Sequence, residues 1–139
     1  DNGSTYHREN YPGVQGGVSL YDESYENLNY PLKGGKLTHY EGGIRTPLFI
    51  KWPEKIKPGT YYENPVSALD LFPTFAAATG TKLPADRKYD GVDLLPFITG
   101  ANAVKPHETL YWRNGFVKTI RKGDWKLLVN EHDKTTFLY

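Results

Sequence analysis

Three turn signals near the C-terminal end constrain this chain more than any other feature. Asn114-Gly115, Gly123-Asp124 and His132-Asp133-Lys134 separate the β-rich runs of "ETLYWRNGFVKTIRKGDWKLLVNEHDKTTFLY", residues 108–139. Asn-Gly suits a two-residue hairpin because both central positions need positive φ, which asparagine and glycine tolerate. Runs joined by such turns fold back on their neighbours, so the segment is expected to form an antiparallel meander, with a strand opening at Asp124-Trp125. Tyr111, Trp112, Phe116 and Trp125 fall within it and are expected in its core or in an interface rather than as sugar platforms.

Upstream the punctuation is helical. In "DLFPTFAAATG", residues 70–80, Asp70 is the expected N-cap, Pro73 lies in the first turn where a missing N–H costs little, and Gly80 takes the C′ position. "DGVDLLPFITG", residues 90–100, repeats the plan with Asp93, Pro96 and Gly100. The apolar run "TPLFIKWP", residues 46–53, closes on Pro53 and is expected to be a buried strand. Residues 1–35 show no sustained period of about 2 or about 3.6 and read as a long irregular loop. Their tyrosines favour a functional loop, since disordered segments are poor in aromatics. A boundary is expected near residues 100–106.

Composition excludes several classes. A chain of 139 residues can bury a core without disulfide or metal staples. Its 17 Lys+Arg balance 16 Asp+Glu and form no like-charge block, so no nucleic-acid partner is expected. No stretch reaches the roughly 18 to 20 apolar residues of a membrane span. The absence of cysteine removes disulfides, thiolate nucleophiles and Cys-ligated zinc, and leaves the compartment open. With no methionine, and with a β-like pattern running to Tyr139, the chain is expected to be a piece of a longer protein.

Chemistry gathers in "NYPLKGGKLTHYEGGIRTP", residues 29–47, where Gly34-Gly35 and Gly42-Gly43 bracket Lys36, His39 and Glu41. A P-loop is ruled out, because it would need glycine where Tyr30 stands and Ser or Thr where Leu37 stands. Glycine beside lysine still lets backbone approach an anion while the ammonium supplies charge, although a solvated loop lysine has the same signature. His39, three residues on, is placed to line the same cleft. Glu41 and Arg45 are expected to form an ion pair or loop-ordering hydrogen bonds. Asp1 and Asn2 offer a carboxylate and an amide oxygen, donors that suit a hard cation, but two oxygens do not make a site and Asp-Asn-Gly is also a turn sequence. Asn2-Gly3-Ser4 matches a glycosylation sequon, which would block metal ligation if used. His7, His39, His107 and His132 lack metal-ligand spacing.

Taken in order, "DNG", "NYPLKGGKLTHYEGGIRTPLFIKWP", "SALDLFPTFAAATG", "DGVDLLPFITG", "HETLYWR" and "RKGDWKLL" resemble the second half of the sulfatase family, the arylsulfatase-like branch of the alkaline phosphatase superfamily. The resemblance implies an α/β fold in which residues 1–100 are the closing portion of an alkaline-phosphatase-like catalytic domain and residues 101–139 a small antiparallel β subdomain. It implies hydrolysis of a sulfate ester on a sulfated glycan or aryl compound, in a periplasmic, secreted or lysosomal setting. Asp1 and Asn2 would be Ca²⁺ ligands and Lys36 would contact the sulfate and stabilise the transition state; His39, from its place three residues after Lys36, is expected to touch substrate as well. The nucleophile would be a formylglycine made from a C/S-x-P-x-R motif. None of Ser4, Ser19, Ser24 or Ser67 stands in that motif, so the nucleophile is expected in a preceding portion of the same enzyme and these residues alone are expected to be inactive. A phosphodiesterase or phosphonate hydrolase of the same superfamily, or a noncatalytic binding module, is the alternative.

Overall fold

The structure, a computed structural model, describes residues 29–36 and 38–139. Asp1, Asn2, His7 and most of the Tyr/Asn/Gly loop lie outside the described residues. The meander forms as its turns dictate: β1 (Thr109–Asn114), β2 (Val117–Lys122), β3 (Trp125–Asn130) and β4 (Thr135–Leu138) make one sheet in the order β1-β2-β3-β4. Gly115 and Gly123 supply the positive φ in the first two turns, and Lys134 (φ 54°) takes the left-handed position in the third; Asn114, expected at a central turn position, instead ends β1, so that the first turn is Gly115-Phe116. β3 and β4 are antiparallel, with Leu128 opposite Phe137 and Asn130 opposite Thr135. Asn130 secures that hairpin by donating from Nδ2 to Asp133 Oδ2 at 2.5 Å and accepting the His132 N–H at 3.1 Å.

The described residues divide into two compact units. One joins residues up to Phe49 with Trp112–Thr119 and Lys126–Tyr139. Its core is Tyr40 and Leu128, with Val117 and Phe137 packed against them. Alternation along β3 turns Lys126, Leu128 and Asn130 inward. Of the two places expected for the aromatics, core or interface, the core is ruled out for Tyr111, Phe116 and Trp125, which are exposed, while Trp112 is half-buried.

The other unit joins Ile50–Tyr111 with Ile120–Trp125. Here α2 (Leu71–Ala78) follows a 3-10 turn, Ala68–Asp70. Asp70 occupies the N-cap position of α2 as expected, but its side chain makes no cap hydrogen bond there. Ser67 opens the 3-10 turn with a capping box, accepting the Leu69 N–H at 3.3 Å while its own N–H donates to Asp70 Oδ2 at 2.7 Å. The fully buried Asp70 carboxylate also accepts the Val92 N–H at 2.9 Å and lies 2.8 Å from His107 Nε2. Gly80 ends α2 as read from the sequence: its N–H reaches Ala77 and the Thr81 N–H reaches Ala76, a Schellman pattern at φ 69°. Asp93 Oδ1 accepts the Leu95 N–H at 2.9 Å at the start of α3 (Leu95–Ile98), and Gly100 follows that helix at φ 79°.

The strand expected over 46–53 is absent. A buried strand needs neighbours for its backbone N–H and C=O groups, and no ladder forms there among the described residues. Phe49 is accordingly 91% exposed. No described helix is long and apolar enough to cross a membrane.

Candidate functional site

Lys36 stands at the first central position of a tight turn closed by Thr38, whose N–H and hydroxyl both donate to the Gly35 carbonyl, at 3.0 and 2.7 Å. Gly34 precedes it at φ 76°, where a Cβ would meet Thr38 Oγ1 at 2.6 Å and Tyr40 Cβ at 2.8 Å. Asn29 Nδ2 holds the Gly34 carbonyl at 3.1 Å. The single helical turn α1 (Glu41–Ile44) then returns against this turn, with the Gly42 N–H donating to the Lys33 carbonyl at 2.8 Å.

The purpose of the paired glycines follows from that return. A Cβ on Gly42 would lie 2.1 Å from the Gly34 oxygen, and one on Gly43 would lie 2.3 Å from the Gly35 and Thr38 oxygens. The two pairs therefore press backbone on backbone, which only residues without a side chain permit. Lys36, half-buried, stands in the turn so held.

Three successive residues after the turn are fixed to the sheet. His39 is 7% exposed, with Nδ1 3.0 Å from Thr119 Oγ1 on β2. Tyr40 fills the core beside Leu128 and meets Tyr139 edge to face at 6.0 Å. Glu41 Oε1 accepts from Lys126 Nζ on β3 at 2.8 Å, the lysine side chain being 7% exposed and its ammonium 5.7 Å from the Trp112 ring. Burial first, and then the positive charge of Lys126, hold the His39 imidazole below its ordinary pKa of 6.5. His39 is thus neutral at neutral pH, a hydrogen-bonding group rather than a cation.

Lys36 and His39 share one glycine-bracketed loop, with the His39 ring engaged by Thr119. Glu41 makes the expected ion pair, but with Lys126 instead of Arg45. Asp1 and Asn2 fall outside the described residues, among which no group of three or more His, Asp or Glu side chains could hold a metal. Sequence reasoning missed Thr119 and Lys126. A period-2 reading of "WKLLVN" puts Lys126 on the face of Leu128, and a lysine on a buried face requires a counter-ion; that signal was present.

Residues 35–129 match the family described as N-sulphoglucosamine sulphohydrolase, C-terminal. Steryl-sulfatase of Homo sapiens is 39% identical over 105 residues, 75% of this chain and 18% of its own length. Arylsulfatase A of Bos taurus is 41% identical over 90 residues, 65% of this chain and 17% of its own. The uncharacterized sulfatase YdeN of Escherichia coli (strain K12) is 41% identical over 85 residues, 61% and 15% respectively. The chain therefore spans less than a fifth of the length of these curated relatives. With more than half of its residues inside the family match, this chain belongs to the sulfatase family, as a C-terminal portion.

Proposed function

We propose that the protein carrying this chain hydrolyses a sulfate ester, and that Lys36 places its ammonium against the sulfate oxygens. The observation that carries the reading is the Lys36 turn itself: a half-buried lysine in a turn whose flanking backbone is locked against Gly42 and Gly43. A preorganised charge in a partly desolvated position stabilises developing negative charge more than the same charge in water.

The substrate class we favour is a sulfated carbohydrate, with an aryl sulfate as the simpler form. The relatives' names speak of steryl and aryl sulfates and the matched family of N-sulphoglucosamine, so the sulfate group is the shared element. Asp1 and Asn2 carry oxygen donors of the type Ca²⁺ takes and would contribute to holding it. Such an ion would supply positive charge to the sulfate group. The attacking group, a formylglycine in this reading, belongs to another part of the enzyme, in a secreted, periplasmic or lysosomal setting.

The test compares hydrolysis of p-nitrophenyl sulfate and its phosphate counterparts by the full enzyme and by Lys36→Ala. Sulfate turnover should exceed phosphate turnover, and Lys36→Ala should lower sulfate kcat by about 10²-fold to 10³-fold. Preference for phosphate diesters would move the protein to the phosphodiesterase branch, and unchanged turnover in Lys36→Ala would remove the lysine from the chemistry.

A further inference from the structure

We propose that Lys126, through its ion pair with Glu41, is a positioning residue for Lys36, so that the C-terminal sheet sets the aim of the sulfate-binding ammonium. The proposal rests on the reading of Lys36 given above and adds the device that holds it.

The path is continuous. Lys126 sits on β3 and Glu41 is the first residue of α1, 85 positions away in sequence, yet Nζ and Oε1 are 2.8 Å apart with the lysine almost wholly buried. Immediately after Glu41, Gly42 and Gly43 lock against the carbonyls of Lys33, Gly34, Gly35 and Thr38, the residues that frame the Lys36 turn. A shift of Glu41 therefore moves α1, and α1 cannot move without displacing the turn. An apolar pair of equal volume would hold two elements together at least as well as a buried ion pair. Such a pair lacks direction, however, whereas the ammonium and carboxylate fix the height and rotation at which α1 meets β3. His39, bonded to Thr119 on β2, fixes the same segment one strand over. Small misplacements of a charge-stabilising group cost rate steeply, which gives such a tie a catalytic consequence.

The experiment is a double-mutant cycle in the full-length enzyme on p-nitrophenyl sulfate. Lys126→Met and Glu41→Gln should each lower kcat by about tenfold or more with KM changed by less than about threefold, because Lys36 acts in the transition state. In a Lys36→Ala background the same changes should cost less than about twofold further, since the residue they aim is gone. Lys126→Arg, which keeps the pair, should retain kcat within about threefold; it serves as the folding-competent variant if Lys126→Met is recovered poorly. Thermal unfolding of each variant separates stability from rate, because a role in folding alone would shift Tm equally in both backgrounds. Losses that multiply undiminished onto Lys36→Ala, or Lys126→Met with kcat within about twofold of the parent, would overturn the positioning role while leaving Lys36 in place. Lys36→Ala with unchanged turnover would overturn both.

Discussion

Asp70 shows how much one side chain carries. Its buried carboxylate receives the Ser67 and Val92 N–H groups and faces His107 Nε2, tying together three stretches of chain. Asp70→Ala strands these partners in a dry site and is expected to cost about 3–5 kcal/mol by urea denaturation of the full-length protein. Asp70→Asn, which keeps the shape, should cost less. His39 gives a pH-dependent counterpart. Its folded pKa lies below the unfolded value of 6.5, so the unfolded chain binds the proton more readily. The stability contributed by neutral His39 is present above pH 6.5 and is lost as pH falls through the folded pKa. The stability difference between the parent and His39→Gln should therefore shrink from about pH 7.5 to about pH 5, read as the shift in urea midpoint. A difference that grows on acidification would contradict the burial argument.

At the scale of elements, the decisive contact is the backbone-on-backbone packing of the two glycine pairs. Gly42→Ala drives a methyl to 2.1 Å from a carbonyl oxygen that cannot rotate away, and should cost about 3 kcal/mol and lower kcat with it. Gly59→Ala is the control: at φ 75° with open space around it, only the left-handed strain of about 1 kcal/mol applies, with no loss of kcat. Unfolding midpoints and turnover of both variants decide the matter; equal costs would deny the close packing. The contrast also marks what the sequence made legible. The meander and the ends of α2 and α3 were readable because Asn-Gly, Gly80, Asp93 and Gly100 act on their nearest neighbours. The structure departs from the sequence reading over 46–53 because apolar texture suggests a buried strand but names no partner strand, and the run is left largely exposed. Lys36 and the glycines were visible as unusual, yet the reason for Gly42-Gly43, like the pairing of Glu41 with Lys126, depends on contacts that local pattern does not encode.

At the scale of the whole chain, the role proposed for Lys36 is charge stabilisation, and the described residues hold no group equipped to attack sulfur. An ammonium has no lone pair to donate, so the role proposed for Lys36 is to stabilise charge and not to initiate attack. Ser67 is fixed by the capping box through its oxygen. Among the described residues the histidine rings bond Thr119, Asp70 and Asp133, so none is poised as a base on a serine hydroxyl. Because no Cys or Ser anywhere in the sequence stands in a C/S-x-P-x-R motif, these 139 residues on their own, purified and supplied with Ca²⁺, should release no nitrophenol from p-nitrophenyl sulfate above the buffer rate. They should also bind a hydrophobic dye, since Phe49 in one unit and Phe72 and Phe75 in the other are each largely exposed. Turnover by the isolated chain that disappears in Lys36→Ala would mean that the attacking group lies within it, and would overturn the division of labour proposed here.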